Sequence, residues 1–337
     1  MAHSLHEDGH DVVIFSPKNG ELNSRCVASG LNTVSFVWKK NNYYNPFFIF
    51  KTWLSFRREK LDVIVFNSFV DIRDASLVSR LAGIKKRILR VGMPIAPARK
   101  ISYKLAFRYG LTHFVGISKE IYNVFRQANF LERLRTRVIP NGIDENHFSY
   151  NIEHKGKFKK EIIYGNCVRL SEQKGLFDFL DIAKIILGNM PNSKFRLAGT
   201  GEQEVELKKY ADKIGLDDRF EFVGHMENVA SFYQQIDVLV FTSRYEGTAR
   251  TIIEAMSSGV IVFCYDASSM TEMIEDGVDG YKVPPYKKEQ LANRMIKVIN
   301  DETESLIDIK ENARRKVEKH FSKNKNFKNW KDVILLD

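Results

Sequence analysis

Short apolar, β-branched runs alternate with helix-like stretches along almost the whole chain, and few folds satisfy that order. In the first half the strand candidates are "DVVIFS", "TVSFVW", "DVIVFN", "KRILRV" and "THFVGIS", with helical patterns near 47–58, 73–82, 99–109 and 119–127. The second half repeats the scheme with "EIIYGNCV", "KFRLAG", "FEFVG", "VLVFTS" and "VIVFCY". Its helices are expected near 174–188, 202–214, 227–235, 249–257 and 287–300. Strands this apolar, separated by helices, imply parallel sheets covered on both faces. The expected fold is therefore α/β, with two doubly wound, Rossmann-like domains facing a cleft.

The boundary falls at "RVIPNGIDENHF", residues 137–148, where Pro140 and Asn141-Gly142 form turns. A charged stretch with little pattern follows through Lys160. This gives a first domain over 1–140 and a second over 141–318, with a C-terminal helix over 319–337 expected to pack back on the first. "MAHSLHEDGHDVVIFSP" opens inside a helix-like segment rather than on a strand. A doubly wound domain normally opens strand, turn, helix, so the first domain is expected to lack its first strand.

Composition narrows the functional classes. With 337 residues, 44% hydrophobic and 28% charged, the chain matches a globular protein with a sizeable core. No apolar run approaches bilayer-spanning length. Cys26, Cys167 and Cys264 lie far apart, without metal-ligand spacing, and read as buried free thiols. The net charge of +10 is concentrated: residues 1–140 hold 23 Lys+Arg against 10 Asp+Glu, the remainder 29 against 32. A +13 half beside a −3 half points to an anionic partner for the first domain alone, or to no more than a generally basic soluble domain. The segment 38–60, "WKKNNYYNPFFIFKTWLSFRREK", mixes aromatic and cationic residues as an interfacial helix would, or as a helix packed on its own sheet. No known nucleic-acid-binding module is present, so a nucleic-acid partner is not expected.

Four stretches of the second half carry chemistry. In "GNCVRLSEQKG" Arg169 and Lys174 flank a polar loop between a strand and a helix, a place suited to a diphosphate or to nothing more than a basic loop. In "LAGTGE" Gly199 and Gly201 would let the backbone approach a ligand, although a tight strand-to-helix turn explains them equally. His225, after "FVG", could face a ligand or be structural. In "SRYEGTARTIIEAMSSGV" a strand ends near Ser243 and a helix begins near Thr248. The N–H groups of Gly247, Thr248 and Ala249 would then be aimed at an anion. Glu246 could accept from sugar hydroxyls, and Glu254 could take two ribose hydroxyls, whereas a first-turn acid would explain Glu246 without explaining Glu254.

Together, "VIPNGID", "RLSEQKG", "AGTGE", the E-x7-E spacing from Glu246 to Glu254 and "EDGVDGYKVPP" resemble the GT-B glycosyltransferases, most closely the large retaining family numbered four. The resemblance covers nearly the whole chain and is strongest from about 137 to 285. It implies that Arg169 and Lys174 bind the donor diphosphate, that Glu246 contacts the donor sugar and that Glu254 holds the ribose. Relatives often place a histidine after the strand corresponding to "RILRVGMP"; this chain has none in residues 87–94, and His113 in the next strand reads as a packed residue.

The resemblance implies a retaining glycosyltransferase of hexosyltransferase type. A nucleotide-sugar donor is expected, a UDP-sugar ahead of a GDP-sugar, with a glycan or lipid-linked acceptor in surface polysaccharide or lipopolysaccharide synthesis. Many transferases neutralise the diphosphate with a metal on an Asp-x-Asp pair, and no such pair occurs here. Arg169, Lys174 and a helix start would serve instead, so neither metal nor cofactor is expected. The expected location is cytoplasmic, peripheral at the inner face of an anionic membrane. The alternatives are a catalytically impaired nucleotide-binding relative and a nucleotide-sugar epimerase on the same fold.

Overall fold

A computed structural model describes residues 1–18, 20–36, 44–98, 100–149, 161–216, 218–301 and 305–336. The chain divides into two compact units: Met1–Ile117 with Ile121–Ile139 and Phe327–Asp337, and Ser118–Glu120 with Pro140–Asn326. The unpatterned charged stretch up to Lys160 and the end of "TVSFVW" lie largely outside the described residues.

In the first unit the order is α1 (Ala2–Glu7), β1 (Val13–Pro17), α2 (Glu21–Ala28), β2 (Asn32–Phe36), α3 (Pro46–Arg58), β3 (Val63–Phe66) and α4 (Phe69–Leu81). Then come β4 (Lys86–Val91), α5 (Ile101–Leu105) running into a π-helical segment (Ala106–Gly110), β5 (His113–Gly116), α6 (Lys119–Gln127) and β6 (Arg135–Val138). β3-β4-β5-β6 form a four-stranded parallel sheet, and β1 and β2 form a separate parallel pair. Phe15 of β1 packs edge-on against Phe56 of α3 at 5.3 Å, which ties the pair to the core of the larger sheet. Helix starts are chemically marked. Asn45 accepts from the N–H groups of Phe47 and Phe48 with Pro46 following it, and Ser68 accepts from Asp71. His113 is buried within β5.

The second unit holds β7 (Ile162–Cys167), α7 (Leu176–Asn189), β8 (Ser193–Ala198), α8 (Glu204–Lys213), β9 (Phe220–Gly224), α9 (Val229–Tyr233), β10 (Val238–Phe241) and α10 (Arg250–Ser257). They are followed by β11 (Ile261–Tyr265), α11 (Met270–Met273), β12 (Tyr281–Val283), α12 (Lys288–Asn300), α13 (Ser305–His320) and α14 (Lys323–Lys331). The last helix belongs to both units, since residues from Phe327 onward cluster with the first. The sheet order is β12-β11-β10-β7-β8-β9, all parallel. β10 and β11 are buried at every position, which is why they read as unbroken apolar runs. α7 buries Leu176, Phe179, Leu180, Ala183, Ile186 and Leu187, a three-and-four spacing that lays one helical face on the sheet. Tyr164 and Phe195 stack at 4.7 Å across β7 and β8 in the centre of this core.

Three differences from the sequence reading have physical causes. β6 is "RTRV", alternately exposed and half-buried, so it carries no apolar run to betray it. The short α2, α11 and β12 fall below the length at which periodicity is informative. The expected single C-terminal helix is broken at Phe321–Ser322, because the backbone there turns to pair with Ile143. The Ile143 N–H donates to Phe321 O at 2.9 Å, and the Lys323 N–H donates to Ile143 O at 2.7 Å.

Trp330, 3% exposed, closes a small core with Ile88, Val115, Ile139 and Val333, and Lys86 Nζ donates to the carbonyls of Val333 and Ile334 at 3.0 and 2.9 Å. The C-terminal residues thus cover one face of β4 and β5. Trp330→Ala should cost the first unit about 3–5 kcal/mol. Hydrogen exchange should show faster opening of residues 86–91 and 113–116, with the core of the second unit unchanged.

Candidate functional site

In the second unit the chain runs outward from β7 through β8 to β9, then returns to lay β10 on the other side of β7. Neighbouring strands β7 and β10 therefore send their following loops in opposite directions, which opens a crevice above their carboxyl ends. Residues 168–175 and 242–249 are those two loops.

They are held together closely. Gly175 has φ +62°, and a Cβ there would lie 2.3 Å from Thr242 O, so only glycine fits. The Arg244 N–H donates to Gln173 O at 2.8 Å, Gln173 Nε2 donates to Tyr245 O at 2.7 Å, and Arg244 pairs with Glu172 at 3.2 Å. The two loops thus bring Lys174 Nζ and Glu246 Oε1 to 2.5 Å, both side chains mostly removed from water. The Glu246 backbone is fixed on both sides by Ser268, whose hydroxyl accepts from its N–H at 3.0 Å and donates to its carbonyl at 2.9 Å.

Glu254 sits one turn into α10, 9% exposed, in a stretch otherwise packed with Ile252, Ile253, Ala255 and Met256. The buried Tyr233 hydroxyl donates to Glu254 Oε2 at 3.1 Å, and Arg250 pairs with Oε1 at 3.2 Å. Burial raises its pKa, opposed by Arg250, Tyr233 and His147. The Cys167 thiol is pushed up to about 11 by burial and then by the Glu254 charge.

Other expected residues take different places. Arg169 is exposed and pairs with Glu202 at 3.1 Å, an ion pair that solvent screens. The close approach allowed by Gly199 and Gly201 is to the chain itself. A Cβ at Gly199 (φ +127°) would meet Val168 O at 1.8 Å, and one at Gly201 would meet Leu170 O at 2.2 Å. These glycines seat the loop after β8 against the loop after β7. His225 is exposed beyond β9. The helix expected to begin near Thr248 begins at Arg250 with Ala249 as its cap residue, because Gly247 and Thr248 are still in the loop. Its first internal bonds run from the Ile252 and Ile253 N–H groups to Ala249 O, which leaves the N–H groups of Arg250 and Thr251 ahead of the helical ladder.

Tyr233, Arg250 and Ser268 were not singled out from sequence. Arg250 was findable as an i, i+4 partner of Glu254. Tyr233 and Ser268 stand 21 and 22 residues from the groups they hold, with no local signal.

Two family models match the chain: Glycosyltransferase Family 4 over residues 1–147 and Glycosyl transferases group 1 over residues 149–316. The chain belongs to the GT-B glycosyltransferases of this type, and it is a glycosyltransferase. The UDP-Gal:alpha-D-GlcNAc-diphosphoundecaprenol alpha-1,3-galactosyltransferase of Escherichia coli is 24% identical over 298 residues, 83% of this chain and 76% of that protein. The Campylobacter jejuni GalNAc-alpha-(1->4)-GalNAc-alpha-(1->3)-diNAcBac-PP-undecaprenol alpha-1,4-N-acetyl-D-galactosaminyltransferase is 27% identical over 252 residues, 71% of this chain and 66% of that protein. Among solved structures, Anabaena Alr3699/HepE in complex with UDP superposes with a TM-score of 0.83 at 20% identity, over 96% of this chain and 91% of that one. Among the described residues no helix is long and apolar enough to cross a membrane.

The raised pKa of Glu254 sets a direction for stability. The fold favours the protonated acid, so the stability this group contributes is present at low pH and is lost as pH rises through its raised folded value. Glu254→Gln keeps the group neutral throughout. The variant should melt above the parent at neutral pH, and the gap should close on acidification, as read by calorimetry across pH.

Proposed function

We propose that the chain is a retaining, metal-independent hexosyltransferase. It moves a sugar from a UDP-sugar, or second a GDP-sugar, to a glycan or lipid-linked acceptor in surface polysaccharide synthesis. It works in the cytoplasm at an anionic membrane. One observation carries this reading: Lys174, after β7, and Glu246, after β10, meet at 2.5 Å over the switch point, just ahead of α10. The UDP complex of the Anabaena protein and the UDP-Gal donor of the Escherichia coli relative support the donor. The undecaprenol-linked substrates named for the two curated relatives support a lipid-linked acceptor.

Roles follow from charge. Without donor, Lys174 and Glu246 neutralise each other. A bound diphosphate competes for the Lys174 ammonium and frees the Glu246 carboxylate to accept from sugar hydroxyls. Arg169 swings from Glu202 to add a second cation, and the Arg250 and Thr251 N–H groups add the partial charge of the helix start. Gly247, Thr248 and Ala249 form the loop that presents them, and Glu254 takes the ribose hydroxyls. Gly199 and Gly201 act by keeping that loop pair close, and His225 lies at the rim. In the reaction the bond from the anomeric carbon to the diphosphate oxygen breaks with its electron pair on that oxygen. The acceptor oxygen bonds the carbon on the same face, and its proton passes to the leaving phosphate. Fixed cations stabilise the charge gathering on the diphosphate.

Glu246→Ala and Lys174→Ala should each lower transfer by about 10²-fold or more while the protein stays folded. UDP should raise the melting temperature of the parent more than GDP does. Parent-like turnover in Glu246→Ala would refute the site. Loss of activity on chelation, restored by a divalent ion, would refute the metal-free step. Donor consumption that needs no acceptor would favour epimerisation.

A further inference from the structure

β11 lies beside β10 in the sheet, so the loop that follows it, 266–269, runs alongside the loop that carries Glu246. Within it Ser268 has φ +53°, in the left-handed region that strains a residue with a side chain. Among the described residues four besides the glycines have a positive φ, and two of them, Lys60 and Asn129, close α3 and α6 in the ordinary way. Ser268 closes no helix. A glycine would adopt the same backbone without strain, so the serine needs a reason in its side chain.

The hydroxyl supplies that reason. A serine oxygen carries one proton and two acceptor lone pairs. It accepts from the Glu246 N–H at 3.0 Å, and its proton is shared between the Glu246 carbonyl at 2.9 Å and the Glu120 carboxylate. Glu120 clusters with the second unit, and the residue before it is anchored there too, the Lys119 N–H donating to Glu272 Oε1 at 2.8 Å. One side chain thus holds the N–H and the C=O of the same residue, which fixes both backbone torsions of Glu246. A charged acceptor in turn holds that side chain in place.

This grip matters at one point of the reaction. Lys174 Nζ holds the Glu246 carboxylate at 2.5 Å. Under the proposed function a donor diphosphate draws Lys174 away, and Glu246 then meets a sugar hydroxyl without the partner that located it. Its direction rests from that moment on its own backbone, and the backbone rests on Ser268. Small misplacements of a contacting group are expensive in the transition state.

We propose that Ser268 is a positioning residue for sugar transfer: it aims Glu246 at the donor sugar once Lys174 has turned to the diphosphate, and Glu120 acts through it by fixing its hydroxyl. This deepens the proposed function and rests on the assignment of Glu246 made there. The strained backbone of Ser268 persists because these bonds over-determine it.

Two substitutions separate aim from stability. Ser268→Gly and Ser268→Ala both delete the hydroxyl, and only Ala keeps the left-handed strain. kcat is read as UDP release from UDP-glucose or UDP-galactose, with an undecaprenyl diphosphate-linked sugar as acceptor. The Gly variant should melt above the Ala variant, yet both should lose kcat by the same factor, about tenfold, with the UDP-induced rise in melting temperature kept. A merely structural serine would instead make activity follow stability. Glu120→Ala should lower kcat about threefold, and Glu120→Gln, whose amide oxygen accepts the same proton, should restore most of it. Glu120→Ala added to Ser268→Gly should lower kcat no further. Parent-like kcat in Ser268→Gly, beside an inactive Glu246→Ala, would overturn the positioning role and leave the site assignment standing. If neither Ser268 variant folds, parent-like kcat in Glu120→Ala would do the same. A further loss in the double variant would overturn the link from Glu120 to Ser268. Parent-like turnover in Glu246→Ala, or a parent that uses neither donor, would overturn both this role and the reading beneath it.

Discussion

β7 pairs with β8 on one side and with β10 on the other, and the second unit depends on that one reversal of strand order. It sends the two following loops toward opposite sides of the sheet, yet keeps them close enough to touch. The glycine at 175 lets the loop after β7 press on the first residue after β10. From that contact follow the backbone bond from Arg244 to Gln173 and the bond from the Gln173 side-chain amide to the Tyr245 carbonyl, and from these the meeting of Lys174 with Glu246. A carboxylate and an ammonium drawn this far from water need each other, and the pairing offsets the cost of burying either. Under the proposed function a donor diphosphate must compete with that pairing for the Lys174 ammonium.

Glu254 illustrates a different balance. It is buried in an apolar stretch of α10, with Tyr233 and Arg250 meeting only part of its hydrogen-bonding capacity. Burial is the larger influence, as its raised pKa records. A group left in that condition costs the fold stability, and such costs concentrate where ligands bind. The first unit shows the corresponding tension on its surface, where apolar side chains remain exposed beside cations while other residues of the same helices are buried.

Much of the fold was legible because buried parallel strands announce themselves. β10 and β11 are unbroken apolar runs, β7, β8 and β9 are apolar runs interrupted by Asn166, by Lys194 and Arg196, and by Glu221, and the helices between them carry a clear face. What escaped was edge structure and short structure. β6 places Arg135, Thr136 and Arg137 ahead of Val138 at a sheet edge, and the C-terminal helix breaks at Ser322 for a pairing with Ile143 far away in sequence. In the site, the spacing from Glu246 to Glu254 and the cations in "RLSEQKG" stood out as chemistry out of place in an apolar context. The glycines of "LAGTGE" stood out too, but their close contact proved to be with the neighbouring loop of the chain.

The sequence by itself determined the alternating architecture, the concentration of positive charge in the first half and the residue types available for an anionic sugar donor. These are properties of composition and of periods two and 3.6, which act within a few residues. Tertiary structure decided that Lys174 meets Glu246 across 72 residues, that Tyr233 holds Glu254, and that Ser268 holds the backbone of Glu246. Those depend on strand order and helix packing, which place distant segments side by side and leave no mark in the local pattern of either.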